Sequence, residues 1–267
     1  MRIHSLEHEP FEGLGNIEFW AKKKGHSISR TLLFNNEELP DISEFDWLVI
    51  MGGSMNIYEE DKFPWLREEK NFIAQAIANK KIVLGVCLGS QLIADVLGGR
   101  VSRNKHKEIG WFPVSMTEEA KDSLIFNAFP EKFTAFHWHG DTFKIPRGAR
   151  RIAQSEGCLN QAFEFGRVVG LQFHLEYSRD SIDLMFRNCI DDITEGKYIQ
   201  KPDEIISQIC NAHEINRILY LLLVQVRETR QRELNTALRY AVCTLQSMQC
   251  FINTKFMMAR LMYFIWI

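Results

Sequence analysis

The chain lacks the features that mark secreted, metal-binding or membrane-spanning proteins. Its six cysteines include no C-x-x-C pair, and their spacing suggests neither a disulfide framework nor a zinc site. The first residues lack the apolar core of a signal peptide. No run reaches the roughly 18 uncharged apolar residues of a spanning helix. The formal net charge of −2 gives no reason to expect nucleic acid or an anionic membrane as partner. We expect a cytoplasmic protein with no nucleic-acid partner and no membrane span.

Glycine and proline are absent from residues 203–267, and the charge changes near residue 230. Residues 230–267 carry five basic residues and one acidic residue, which leaves 27 basic and 33 acidic residues in 1–229. We therefore predict one domain over 1–228 and a helical or poorly ordered extension over 229–267. Three interpretations of the extension stay open: a helix packed on the core, a segment that docks on a partner or membrane surface, or an altered reading frame. A non-catalytic appendage is favoured.

Short apolar runs alternate with amphipathic segments through the first hundred residues. DWLVI and KIVLGV have the composition of buried strands, and helices are predicted between such runs. This alternation predicts an α/β fold, with an open, mostly parallel sheet flanked by helices. Residues 100–175 are richer in strand patterns, and helices are predicted over 178–192 and 203–229.

The sequence Gly85-Val86-Cys87-Leu88-Gly89 follows a buried strand and opens a helix. It has the form of a nucleophile elbow with Cys in the Ser position, in which small neighbours permit a sharp turn. The helix N-terminus favours thiolate over thiol. A buried structural cysteine is the alternative, but strand, turn, helix and glycine spacing together favour a nucleophile.

His174 and Glu176 supply the base and its orienting group in this interpretation. Both are predicted at the end of a strand, where residues i and i+2 point to the same side. A carboxylate there can bind one imidazole nitrogen and leave the other for the thiol. The turn Gly52-Gly53 follows another strand, so its amides are expected at the same edge of the sheet.

The sequence HWHGD allows a different chemistry. His137, His139 and Asp141 alternate as on a strand and could bind a metal, joined by the His174-x-Glu176 pair in a metallohydrolase. That alternative leaves the Cys87 elbow unexplained, and it is the less favoured of the two.

Together, the Gly52-Gly53 turn, the elbow, the His174-Leu175-Glu176 sequence, KEIGWFPV and FHWHGDTF resemble the class I glutamine amidotransferases. The resemblance is closest to stand-alone members similar to the amidotransferase half of GMP synthase, and it covers about residues 1–228. It implies a flavodoxin-like sheet and no cofactor or metal. One departure is Ser54, where the family usually has Pro. The implied site comprises a triad of Cys87, His174 and Glu176, oxyanion-hole amides at Gly53 and Leu88, and substrate contacts from Gln91, His139, Gly140 and Asp141.

The resemblance implies hydrolysis of the glutamine side-chain amide through a glutamyl thioester. The ammonia released is expected to pass to a separate synthetase, because the sequence has no room for one and no G-x-x-x-x-G-K-[ST] phosphate loop. Two alternatives stay open: a self-sufficient γ-glutamyl peptidase or hydrolase, and a regulatory binding protein that has lost turnover. Glutamine or a γ-glutamyl compound is the expected substrate in the first two.

Overall fold

The computed structural model describes residues 1–229, and the extension predicted over 229–267 lies, from position 230 onward, outside the described residues. Strands and helices alternate through the first hundred residues, as predicted. They are β1 (Arg2–Glu7), α1 (Asn16–Lys23), β2 (Ser27–Leu32), β3 (Trp47–Ile50), α2 (Trp65–Ala78), β4 (Ile82–Val86) and α3 (Leu88–Val96).

The region after residue 100 is richer in strands, which also agrees with the prediction. It contains β5 (Val101–Met116), β6 (Lys132–Phe143), β7 (Arg150–Gln154), β8 (Ala162–Phe165) and β9 (Val168–Leu171), followed by α4 (Arg179–Cys189) and α5 (Pro202–Ser207). Residues 211–229 are helical. The continuous helix predicted over 203–229 is wrong, because a turn at residues 208–210 separates α5 from that segment.

Within residues 1–229 the strands form one nine-stranded mixed sheet, in the order β2-β1-β3-β4-β9-β8-β7-β5-β6. The strands from β2 to β9 in this order pair in parallel, and the pairs from β9 to β6 are antiparallel. This is the predicted α/β architecture, with the strand-rich middle of the chain as its antiparallel half.

The parallel strands are buried on both faces of the sheet. In β3, Trp47 and Val49 pack into one hydrophobic cluster, and Leu48 and Ile50 pack into a second cluster. Successive side chains of a strand point to opposite faces, so a continuous apolar run is expected where both faces are covered. This explains why DWLVI and KIVLGV read as apolar throughout.

The parallel arrangement brings several strand ends to one edge. The chain leaves β3 into the Gly52-Gly53 turn, leaves β4 at Cys87, and leaves β9 three residues before His174. Ligands of open α/β sheets bind at such carboxyl ends. The fold therefore collects the predicted site residues from distant parts of the sequence.

Residues Met1–Val226 form one compact unit. The domain boundary at residue 228 stays a prediction. The role assigned to the extension stays a prediction. In the described part of the chain, no helix combines the length and apolarity needed to cross a membrane.

Candidate active site

Cys87 lies at the turn between β4 and α3 with a left-handed backbone, φ 51° and ψ −109°. Few non-glycine residues adopt this region, and those that do cluster at functional sites. Two close packings hold the turn: a Cβ on Gly85 would lie 2.5 Å from the backbone of Gly89, and a Cβ on Gly89 would collide with the Ile50 carbonyl. The turn is further tied to β9, because the Cys87 amide donates to the Leu171 carbonyl at 2.8 Å.

His174 and Glu176 are paired, although the reason differs from the one predicted. Strand β9 ends at Leu171, so the two residues do not belong to a regular strand. His174 is instead held by its own amide, which donates to the Phe136 carbonyl of β6 at 2.8 Å. The Glu176 carboxylate folds back, with Oε1 2.7 Å from His174 Nδ1 and Oε2 accepting the Leu175 amide at 3.0 Å. The predicted contact between His174 and Glu176 is present, but it is formed by an isolated β-bridge at His174 and a bend in the chain after it.

The electrostatics of this pair fit a base beside a thiol. Burial alone would lower the pKa of His174, but the Glu176 carboxylate and the nearby Cys87 thiol raise it well above its usual value. Burial raises the pKa of Cys87, and His174 opposes that rise. His174 Nε2 is buried, and no hydrogen bond from the described residues reaches it, so this nitrogen is not committed to another group.

The Gly52-Gly53 turn lies against the start of α3. A Cβ on Gly53 would lie 2.9 Å from Leu88 Cδ2, which places the two predicted oxyanion residues side by side. Leu88 is the first residue of α3, where backbone amides have no partner within the helix. The turn is anchored by His8, whose Nδ1 bonds the Gly52 carbonyl at 2.9 Å and whose Nε2 lies 2.9 Å from Glu69 Oε1.

A cavity of about 520 Å³ opens over Cys87. Seven of the nine predicted site residues line it, while His174 and Glu176 are buried. Cys87 thus lines the cavity, and its thiol donates a long hydrogen bond to the Trp138 carbonyl, with Sγ 3.6 Å from the oxygen. The predicted residues in the lining are Gly53, Cys87, Leu88, Gln91, His139, Gly140 and Asp141.

Gln91 is engaged by a residue that the sequence interpretation missed. Its Nε2 donates to Gln172 Oε1 at 3.1 Å, and Gln172 Nε2 lies 3.8 Å from Cys87 Sγ. Gln172 precedes His174 by two residues and is fully buried. Gln172 lies between the end of β9 and His174. The sequence offered this signal, because Gln172 and His174 both follow the apolar run of β9.

Comparison with known proteins agrees with this geometry. Residues 23–192 match the family model described as "Glutamine amidotransferase class-I". The glutamine amidotransferase-like protein YfeJ of Salmonella typhimurium is 34% identical over 231 residues, which is 84% of this chain and 96% of that protein.

This chain belongs to the class-I glutamine amidotransferases.

A crystal structure of a family member from Thermotoga maritima superposes with a TM-score of 0.77 at 32% identity, covering 85% of this chain and 97% of the other. A glutamine-hydrolysing GMP synthase from Borrelia garinii subsp. bavariensis is 32% identical over 154 residues, or 56% of this chain. That match spans only 27% of the GMP synthase. The resemblance drawn from the sequence is confirmed at the level of family and fold.

The HWHGD segment does not form the ligand set of the metal interpretation, because the Asp141 carboxylate lies outside the group that His137 and His139 form. His139 Nε2 lies 3.0 Å from Glu108 Oε2, and His137 Nδ1 lies 3.9 Å from the same oxygen. Asp141 instead accepts a hydrogen bond from Asn56 Nδ2 at 2.6 Å. The Asp141 carboxylate is therefore apart from the two imidazoles, although the Asp141 backbone carbonyl lies 3.0 Å from His139 Nδ1.

Glu108, His137 and His139 do form a buried group whose ligand atoms lie within 4.8 Å of one another. The Glu108 carboxylate already accepts hydrogen bonds, because Gln161 Nε2 and Ser155 Oγ donate to it at 2.6 Å and 2.7 Å. The Gln161 amide fills the position between carboxylate and imidazole, 3.4 Å from His137 Nδ1. We interpret the group as a hydrogen-bonded support beneath His139.

Other cavity residues were not predicted from the sequence. Glu12 comes from the loop after β1, and Lys107 pairs with Asp192 at 2.8 Å across the cavity wall. Trp138 Nε1 also donates to Asp192, at 3.2 Å. The loop HEPFEG, which contains Glu12, has no recognised motif. A charged residue on a strand-rich segment, such as Lys107, is usually solvated. The sequence therefore gave no usable signal for either residue.

Proposed function

We propose that this amidotransferase hydrolyses the side-chain amide of glutamine, or of a related γ-glutamyl amide, through a thioester on Cys87. The observation that carries the proposal is the left-handed turn at Cys87, which places a buried thiol next to His174 on one side and a cavity on the other. A residue in a sparsely populated backbone region lowers the stability of the fold, and such residues are concentrated at active sites.

The mechanism follows from the roles of the triad. Cys87 gives its proton to His174 Nε2 and attacks the amide carbon, so that a C–S bond forms. The C–N bond then breaks, and His174 returns the proton to the leaving nitrogen. Water, activated by His174, hydrolyses the thioester to glutamate. Throughout, Glu176 holds the imidazole tautomer and stabilises its cationic form.

The amides of Gly53 and Leu88 are proposed to bind the developing oxyanion. Each preorganised donor of this kind typically contributes about 3–4 kcal/mol to transition-state stabilisation. Gln91, His139, Gly140 and Asp141 are proposed to contact the rest of the substrate, because all four line the cavity. The buried Glu108 beneath His139 supports that wall.

A separate synthetase is the proposed recipient of the ammonia. The support is the match to glutamine-hydrolysing GMP synthases, which covers about a quarter of their length. A self-sufficient γ-glutamyl hydrolase is the second candidate. The cavity volume of about 520 Å³ leaves room for a ligand larger than glutamine.

Purified chain assayed with glutamine and with a γ-glutamyl peptide separates these candidates. A self-sufficient hydrolase turns over the peptide alone, whereas a glutaminase subunit is slow until its synthetase is added. Cys87→Ala is expected to reduce either activity by at least about 10⁴-fold, because no other group replaces the nucleophile. Undiminished turnover by a folded Cys87→Ala variant would end the proposal.

Cys158→Ser is the matched control. Cys158 is also a buried cysteine, and burial raises its pKa to about 11, but it lies outside the cavity lining. We expect this variant to retain activity within about threefold, since the nucleophilic role belongs to the elbow and not to buried thiols in general. Equal losses in both variants would point to a structural effect.

A further inference from the structure

Glu12 is a second carboxylate in the cavity of Cys87, outside the triad. It lies in the loop between β1 and α1, is only 5% exposed, and belongs to the cavity lining. Burial raises the pKa of its carboxyl group. Burying a charge or an unpaired acceptor costs free energy, so the presence of a glutamate at this position requires an explanation.

The surrounding structure is built to hold Glu12 there. Tyr177 Oη donates to Glu12 Oε1 at 3.1 Å, and a Cβ on Gly52 would collide with the same oxygen. The loop is also tied to the triad segment, because the Asn16 amide donates to the Glu176 carbonyl at 2.9 Å. Glu12 is thus wedged between the oxyanion turn and the segment that carries the base.

One oxygen of Glu12 is left over. No hydrogen bond from the described residues reaches Oε2. This oxygen is also not one of the fully buried polar atoms without a partner, so it is accessible from the cavity. Glu12 lies close to His174, because the Tyr177 hydroxyl that bonds Glu12 belongs to a ring that packs against the His174 ring, with centroids 4.2 Å apart and planes tilted by 33°. Glu12 therefore offers an acceptor in the cavity that Cys87 lines, near the imidazole of His174.

The reaction places hydrogen-bond donors in that region. When the C–N bond breaks, the departing nitrogen carries its own N–H groups as well as the proton from His174. Those N–H groups need acceptors, and a carboxylate is a stronger acceptor than a neutral group. An ester substrate releases an alkoxide oxygen, which has no hydrogen of its own to donate.

Taking the proposed function as given, we infer that Glu12 accepts a hydrogen bond from the leaving nitrogen and makes the site selective for amides over esters. Glu12 is unchanged by the reaction, and no proton transfer is assigned to it. The substrate class is then a γ-glutamyl compound whose leaving group is ammonia or an amine.

The test compares Glu12→Met with the wild type on glutamine and on glutamate γ-methyl ester. The two substrates share every group except the leaving one. We use kcat/KM, which reports the step in which the leaving group departs even where thioester hydrolysis limits kcat. We expect about a tenfold to hundredfold loss on glutamine and less than a threefold loss on the ester.

Two further variants keep the test decisive. Glu12→Gln retains a neutral acceptor of the same size, so its loss on glutamine should fall between those of the wild type and Glu12→Met. Glu9→Met removes a carboxylate from the same loop that bonds Ser54 and lies outside the cavity lining. It should change neither rate by more than about twofold. Unfolding temperatures of all variants are measured alongside.

The outcomes are distinct. Equal losses of Glu12→Met on the amide and the ester, with an active wild type, would overturn the inference and leave the proposed function standing. That result would assign Glu12 to the shared part of the substrate or to the fold. A wild type with no measurable turnover of glutamine, the methyl ester or a γ-glutamyl peptide would overturn the proposed function, and the inference with it.

Discussion

Strands β3, β4 and β9 bury apolar side chains and glycine along their whole length, whereas β5, β6 and β8 bury carboxylates and imidazoles within their bodies. The chemistry of the first group is at the strand ends, in turns that follow the last buried residue. The second group has polar side chains such as Glu108 and His139 facing one another across the ladder. The apolar strands thus position side chains through backbone geometry, and the polar strands through contacts between polar side chains.

A strand end can be disturbed through a backbone contact alone, without a change to any polar side chain. In Gly89→Ala the new Cβ would collide with the Ile50 carbonyl, so β3 and α3 must move apart. We expect the free energy of unfolding to fall by about 3 kcal/mol or more, and glutamine hydrolysis to fall with it as Cys87 is displaced. Denaturant unfolding and kcat/KM measure the two effects.

Gly98→Ala is its control, in the turn after the same helix. Gly98 has φ +82° and open space around its Cβ position, so only backbone strain is added. That strain is typically about 1–2 kcal/mol. If Gly89→Ala were no more destabilising than Gly98→Ala, close packing at the elbow would not be what holds Cys87 in place.

This difference explains which parts could be predicted from the sequence. Apolar runs that end in Gly52-Gly53 and in Cys87 have a local signature, because strand, turn and helix follow one another in the chain. The approach of His174 to Phe136 joins residues 38 positions apart and has no such signature. Glu12 likewise reaches the cavity only through tertiary contacts with Tyr177 and Gly52, so a sequence pattern cannot locate it.

Buried carboxylates in the antiparallel half allow a sharper test, because two of them have opposite electrostatics. Hydrogen bonds and the nearby imidazoles outweigh burial at Glu108 and lower its pKa to about 2, whereas burial raises the pKa of Glu164. Glu108→Gln removes a charge that the fold stabilises, so we expect the free energy of unfolding to fall by about 3 kcal/mol at pH 7. Glu164→Gln should cost less than about 1 kcal/mol.

The pH dependence checks the sign. The folded-state pKa of Glu108 lies below its ordinary value of 4.5, so its stabilisation is complete above pH 4.5 and is lost as the pH falls towards about 2. The wild type should therefore lose stability over this interval, and Glu108→Gln should lose markedly less. Parallel pH profiles of the two proteins would show that Glu108 is not held in its charged form by the fold.

Ser54→Pro is expected to have the smallest effect, and it tests whether strand-end chemistry depends on polar contacts of the turn. Proline removes two groups of Ser54: the hydroxyl, which donates to Glu9, and the backbone N–H. That N–H donates no hydrogen bond within residues 1–229. The Gly53 amide is untouched. We expect kcat/KM for glutamine to stay within about threefold and the free energy of unfolding to change by less than about 1 kcal/mol.

Ser54→Ala, which removes the hydroxyl alone, separates the two contributions. A loss beyond tenfold in Ser54→Pro with an active Ser54→Ala would mean that freedom at this residue shapes the oxyanion turn, so that strand-end geometry is set by the loop as well as by the strand.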